Sequence, residues 1–312
     1  MPIILFAIGF YILIKGAQIL IRGASSMARI FGLSPWFVGI AIVGIGTSIP
    51  ELSINLASVW NGQGIGLSTI IGSNTFNILA ILGLSALFSP IMTRDSWVKD
   101  IWFNLLAITI ASIFIIFPIL GETSFSGITQ IEGFVLLALF SVWMFILLRR
   151  PEETESREEE IFTVLVSNMM ILGGIVGVFI GGRWVVQGAE FIASALGVSE
   201  ALIGLSIVAI GTSLPELTVS LTAALKREPA IALGNVVGSN IFDFLGILGL
   251  TSILRPISVT SDFRFDIFAA LGAGLLLILA VYFNKRHEVT RKEGVLFVLS
   301  YVLYLIIVLS RG

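Results

Sequence analysis

Long apolar runs, broken by short polar stretches, constrain this chain more than any other feature. A helix needs about 20 apolar residues to cross a bilayer. Ten such spans fit along the 312 residues, at about 2–21, 33–60, 65–88, 98–118, 128–149, 162–186, 198–225, 229–254, 265–283 and 293–310. Only 12% of residues are charged and 56% are hydrophobic, against about 25% charged in soluble domains. That is too little charge to cover a water-facing surface. A transmembrane β-barrel needs alternating strands, and runs such as Leu79–Leu87 and Leu275–Val281 do not alternate. The opening MPIILFAIGFYILIKG has no basic leader or small-residue cleavage site and reads as a retained first helix.

The chain repeats itself. GTSIPEL at 46–52 returns as GTSLPEL at 211–217. Around these motifs, 13 of 25 positions are identical between residues 32–56 and 197–221. GSNTFNILAILGL at 72–84 returns, in the same order, as GSNIFDFLGILGL at 238–250. The strongly polar segment RRPEETESREEE at 149–160 separates five spans from five. The expected organisation is a repeat over 1–150 (motifs within 32–88), an acidic linker over 151–161, and a repeat over 162–312 (motifs within 197–254). With an odd number of spans per half, the halves enter the membrane from opposite sides. The expected fold is therefore an all-α polytopic membrane protein of ten transmembrane helices in two inverted five-helix repeats.

Basic residues set the orientation. With the N-terminus outside, the inner loops hold Arg22, Arg29, Arg94, Lys99, Arg149, Arg150, Arg157, Lys226, Arg227, Lys285, Arg286, Arg291 and Lys292; the outer side holds only Arg183, Arg255, Arg264 and Arg311. Both termini are expected outside a cell-membrane protein, and the acidic linker in the cytoplasm. Glu152–Glu160 reads as a solvated loop, and Arg22 and Arg29 as interfacial anchors.

Of 20 acidic residues, all but Glu51, Glu216 and Asp243 fall in loops or near helix ends. A carboxylate at the bilayer centre costs about 2.5–3.5 kcal/mol on insertion scales, so three left bare would cost about 8–10 kcal/mol. No lysine or arginine is expected at their depth, which leaves mobile cations or protons as partners. Pro50 and Pro215 cannot donate to the carbonyls of Gly46 and Gly211, so each helix should break there and release carbonyls near Gly44–Thr47 and Ala209–Thr212. Broken helices at matching places in two repeats point to a transport site. Thr47 and Glu51, Ser73 and Asn77, and Ser239 and Asp243 are each four apart, sharing a helix face. Ser48 stands three before Glu51, and Ser213 repeats it before Glu216. Brought together, these are hard oxygen ligands of the kind Ca²⁺ and Na⁺ take. Zinc and copper favour histidine and cysteine; the chain has no cysteine, and its single histidine, His287, sits in a charged stretch. Asn74 and Asn240 could serve packing or the site; Asn55 reads as packing.

With both motif pairs in view, the chain resembles the cation/calcium antiporter superfamily, and within it the prokaryotic sodium/calcium exchangers with their α-repeats. The GNATE-like motifs of proton-coupled calcium exchangers are missing, and the linker is too short for the calcium-sensing domains of animal exchangers. The resemblance implies Glu51 and Glu216 as central Ca²⁺ ligands, completed by the carbonyls of Thr47 and Thr212. It implies Na⁺ sites flanking them, from Ser48, Ser73, Ser213, Ser239 and the carbonyl of Ala209, with Gly44 in the matching place of the other half. Asn77 and Asp243 would line the middle of the cluster. The first and sixth spans would form a gating bundle that slides against the rest. An acid at the place of Asp243 also occurs in potassium-dependent exchangers, so K⁺ co-transport is an alternative on this site, as is Ca²⁺/H⁺ exchange.

The expected activity is Na⁺/Ca²⁺ antiport by alternating access, with Ca²⁺ and Na⁺ as substrates, the lipid bilayer as environment, and no cofactor, nucleic acid or obligate protein partner. A passive cation channel is a more distant alternative. A zinc protease would want HExxH, and an aspartyl protease two close buried aspartates where only Asp243 is buried, so an enzyme is not expected.

Overall fold

The computed structural model describes residues 2–61, 65–117, 127–150, 161–195, 209–259, 263–283 and 287–311. Helix α1 is Pro2–Phe31. The second span is not a single rod. Helix α2, Pro35–Thr47, and helix α3, Ile49–Asn61, meet at Ser48 with a bend of 43°. Ser34 caps the start of α2 by accepting the amide of Phe37, with Pro35 in the first turn. Helix α4 is Gly66–Phe88, α5 is Asp95–Ile116, α6 is Gln130–Arg149 and α7 is Val164–Ala195. The short α8, Ala209–Gly211, turns at Thr212 and Ser213 into α9, Leu214–Leu225. Helix α10 is Pro229–Leu254, α11 Arg264–Phe283 and α12 Arg291–Arg311.

Among the described residues, eight helices are long and apolar enough to cross a membrane, or nine with the bent α2/α3 pair as one span. The expected span 198–225 falls partly on residues 196–208, which lie outside the described residues, as does the linker 151–160. The chain is a multi-pass helical membrane protein.

Four short strands form two antiparallel ribbons. Strand β1, Ile91–Met92, pairs with β4, Glu288–Val289; β2, Gly127–Ile128, pairs with β3, Ile257–Ser258. Each ribbon joins the strand that follows the GSN helix of one half to the strand that precedes the last helix of the other. Thr129 and Glu132 form a capping box at the start of α6, and at α12 Thr290 N likewise donates to Glu293 Oε2 at 2.9 Å, while Thr290 Oγ1 accepts Lys292 N.

Helices α4 and α10 form the centre, each with 83% of its apolar window buried, against 11% for α12. A large apolar cluster joins α4, α5, α10 and α11. A second cluster, with Leu13, Ala17 and Leu20 from α1 and Ile171 and Val178 from α7, packs the α1/α7 pair against α2 and α9. Within that pair the backbones touch. Gly9, Gly16 and Gly23 recur at 174, 181 and 188, each 165 positions later. A Cβ on Gly16 would lie 2.7 Å from Val178 N, and one on Gly181 2.5 Å from Leu13 N. Only glycine permits this approach. Gly9 faces Gly181 and Gly23 faces Ser167, so the two helices run antiparallel.

Candidate ion-binding site

The GTSxPEL motifs fold as the sequence suggests. Ser48 (φ −83°, ψ 9°) and Ser213 (φ −93°, ψ 9°) each leave helical geometry directly before Ile49-Pro50 and Leu214-Pro215. Each break places the following glutamate in the first turn of a new helix. The GSN motifs bring Asn77 and Asp243 in from α4 and α10, both within a widened π-type turn, Asn77–Leu82 and Phe242–Ile247. Such turns are frequent at functional sites. A third widened turn, Val38–Val43, precedes the break in α2.

These pieces converge across the two halves. Ser48 Oγ donates to Glu216 Oε1 at 3.4 Å. Thr47 Oγ1 lies 2.9 Å from Asn235 Oδ1 and 3.4 Å from Ser239 Oγ. Asn74 Nδ2 donates to Asp243 Oδ2 at 2.8 Å, and Asn77 Nδ2 to Asn240 Oδ1 at 3.0 Å. Glu51 feels the charges of both Glu216 and Asp243. Thr212 stands in the turn that joins α8 to α9.

Glu51, Glu216, Asp243, Asn77, Thr47, Ser48, Ser73, Ser213 and Ser239 are all buried. Seven of the buried oxygens in this region make no hydrogen bond among the described residues: both of Glu51, Oε2 of Glu216, Oδ1 of Asp243, Oδ1 of Asn74, Oδ1 of Asn77 and Oγ of Ser213. Six are carboxylate or amide oxygens, which accept only, at a depth where a bare carboxylate is expensive. Among the described residues no three acidic, histidine or cysteine side chains close tightly enough to hold one metal between them. Any cation here therefore takes part of its shell from amides, hydroxyls, carbonyls or water.

The remaining expected residues are placed as follows. The carbonyl of Gly44 accepts Ser239 Oγ at 3.0 Å, Thr47 Oγ1 at 3.2 Å and Ser48 N at 3.2 Å. Ser73 Oγ donates to Ile70 O at 3.2 Å. Ala209 opens α8, three residues before the turn at Thr212.

Sequence reasoning missed Asn235. Its amide nitrogen donates to Glu216 O at 3.2 Å and Ser220 Oγ at 2.8 Å, while its oxygen meets Thr47. In the other half Asn55 Nδ2 donates to Glu51 O at 2.9 Å. Each glutamate backbone is thus held by an asparagine amide, but from different helices. The other buried acid cluster is of another kind. Asp100 on α5 accepts Arg150 Nη1 at 2.7 Å, Arg150 Nη2 at 3.2 Å, Trp36 Nε1 at 2.8 Å and Trp143 Nε1 at 3.1 Å. Fixed donors balance that charge; for Glu51, Glu216 and Asp243 the described residues supply no basic partner.

A multi-pass helical bundle with two matching broken helices and a buried oxygen-rich cluster between them defines a cation-handling membrane carrier. The family model described as sodium/calcium exchanger protein matches residues 1–149 and 166–310, and the chain belongs to that family. It is 33% identical over 302 residues to an uncharacterised membrane protein of Methanocaldococcus jannaschii, covering 96% of this chain and 95% of that one. It is 30% identical over 351 residues to the sodium/calcium exchanger MaX1 of Methanosarcina acetivorans, covering 97% of each. The solved structure of the sodium-calcium exchanger NCX_Mj soaked with 2.5 mM Na⁺ and 0.1 mM Ca²⁺ superposes with a TM-score of 0.84 at 32% identity, covering 98% of this chain and 97% of that one.

Proposed function

We propose that this protein is a secondary active antiporter exchanging Na⁺ for Ca²⁺, and a transporter rather than an enzyme. The observation that carries the reading is the set of buried acceptor oxygens on Glu51, Glu216, Asp243 and Asn77 that no donor among the described residues satisfies. Glu51 and Glu216 are the shared central ligands, with the carbonyls of Thr47 and Thr212 completing a Ca²⁺ shell. Ser48, Ser73, Ser213, Ser239 and the carbonyls of Gly44 and Ala209 serve flanking Na⁺ sites, and Asn77 and Asp243 line the middle.

The chemistry follows from charge. Ca²⁺ takes 6–8 oxygens, and two glutamates neutralise one Ca²⁺ or two Na⁺, but not both loads. Occupancies compete, and competition couples the fluxes. A bare anionic cluster is costly to occlude away from water, which disfavours empty return.

The architecture is read as two inverted five-helix repeats, 1–150 and 162–312, joined by the linker 151–161, with ten spans, both termini outside and the linker cytoplasmic. Support comes from the antiparallel α1/α7 glycine seam, the exchange of strands between halves, and the matching Thr–Glu bonds at the starts of α6 and α12. Tyr304 OH donates to Asp266 Oδ1 at 3.0 Å, as Trp143 Nε1 does to Asp100. The α1/α7 pair, with its own apolar cluster, is the element that slides against the site in alternating access.

The test is ⁴⁵Ca²⁺ uptake into vesicles carrying the purified protein. An imposed Na⁺ gradient should drive uptake and a pH gradient alone should not; Glu216→Ala should abolish it. Uptake that follows pH alone, or full uptake by Glu216→Ala, would overturn the reading.

A further inference from the structure

Between α11 and α12 lies an open groove of about 680 Å³, lined by Leu276, Leu279, Leu296 and Phe297 and ending at Arg291 and Lys292. Leu296 is half exposed on the bundle's outer face, so the groove meets lipid. The end of the bundle where it stops also carries the β1–β4 ribbon and Arg150. The β1–β4 ribbon ties Thr93 to His287 there, His287 Nε2 stands 3.8 Å from Asp95, and Arg150 beside Ser96 marks the root of the linker.

The other half supplies an internal comparison. Thr290-Arg291-Lys292-Glu293 opens α12 as Thr129-Gln130-Ile131-Glu132 opens α6. In both the Thr backbone and hydroxyl bond the Glu carboxylate, and both continue with glycine, Gly294 and Gly133. The two residues between that Thr and Glu are basic in one copy and neutral in the other. In α12 Glu293 is bound by Thr290 through both backbone and hydroxyl, and Thr290 Oγ1 accepts Lys292 N at 3.2 Å. Glu293, which lines the same end of the groove, is held by Thr290 and also attracts Lys292, while the Arg291 and Lys292 side chains make no hydrogen bond or close ion pair among the described residues, so the groove end keeps one net positive charge. An apolar trough ending in two such cations matches an acyl chain that ends in an anionic headgroup. Basic pockets between transmembrane helices take such lipids.

We propose that this groove binds one anionic phospholipid, its phosphate on Arg291 and Lys292 and an acyl chain along Leu276, Leu279, Leu296 and Phe297. The occupant is a lipid of the adjoining leaflet rather than free phosphate, because most of the contact surface is apolar. Basic residues placed only to orient the chain would show no headgroup preference in a purified protein.

The purified full chain in neutral detergent is titrated with dioleoyl-phosphatidylglycerol, dioleoyl-phosphatidylcholine or glycerol 3-phosphate while its thermal unfolding midpoint is followed. With each cation worth about fivefold, phosphatidylglycerol should act at about twenty-five-fold lower concentration than phosphatidylcholine, and glycerol 3-phosphate should have no effect. R291Q/K292Q should lose the preference. L279W, which fills the trough and leaves the charges, should weaken both lipids. Equal action of the two lipids on the native chain, a preference that survives R291Q/K292Q, unweakened lipid action on L279W, or a midpoint shift by glycerol 3-phosphate alone would each overturn the proposal. None of these readouts depends on ion exchange.

Discussion

Removing Arg150 offers a sharp test of the physical reasoning, because Asp100 is its internal contrast to the ion site. Asp100 is 1% exposed and receives four hydrogen bonds, two of them from a bidentate guanidinium. In R150Q the carboxylate keeps the two indole donors but loses its only basic partner among the described residues. Breaking one partner of a buried pair costs about 3–5 kcal/mol, and the surviving indoles place R150Q near the lower end, at about 3 kcal/mol. In D100N the partly exposed Arg150 can turn to water, so the loss is smaller, about 1–3 kcal/mol. D100N/R150Q removes both charges and should cost less than the sum of the single changes by about 1–3 kcal/mol. Reversible unfolding in detergent, followed by the emission of the tryptophans in this cluster, measures all three. R150Q within 1 kcal/mol of the native protein, or strictly additive costs, would refute the view that buried acids here need a counter-charge.

Asn235→Leu removes the donors to Glu216 O and Ser220 and the acceptor of Thr47; Ca²⁺ affinity should fall about tenfold, one buried hydrogen-bond set at about 1–2 kcal/mol, measured by ⁴⁵Ca²⁺ binding. Gly181→Leu drives a side chain into Leu13 of α1; it should lower stability by about 1–3 kcal/mol and slow exchange, whereas Gly72→Ala, with open space around its Cβ position, should do neither in the same unfolding and flux assays. Ca²⁺ should raise the thermal midpoint of the purified protein and Zn²⁺ should not, because the buried ligands are oxygens alone; equal stabilisation by both would contradict the ligand assignment.

Much of this was legible because the costly residues are duplicated. Proline next to glutamate inside an apolar span has few physical uses, and its return 165 residues later marked both the repeat and the helix breaks, which the structure places at Ser48 and Ser213. What stayed hidden had no symmetric echo. Asn235 stands where the first half has Thr69, so comparing the halves passes over it, although it holds Glu216 in place. Asp100 and Glu132 read as helix-end acids, yet both are buried; only the fold shows that an arginine, two indoles and a threonine meet them. The correspondence of α5/α6 with α11/α12 rests on a few separated residues, such as Asp100 with Asp266 and Gly133 with Gly294, too sparse for sequence alone. A Cβ on Gly133 would lie 3.0 Å from Gly249 O and one on Gly294 2.8 Å from Gly83 O, so the fold shows what spacing could not.

The decisive measurement is ⁴⁵Ca²⁺ binding to the purified protein, titrated with Na⁺, in the native chain and in E51Q and E216Q. Shared carboxylates require that Na⁺ displace Ca²⁺ completely and that each substitution weaken Ca²⁺ binding at least a hundredfold, two ligand charges being reduced to one. Ca²⁺ binding that persists at saturating Na⁺, or that survives either substitution unchanged, would place the ions elsewhere.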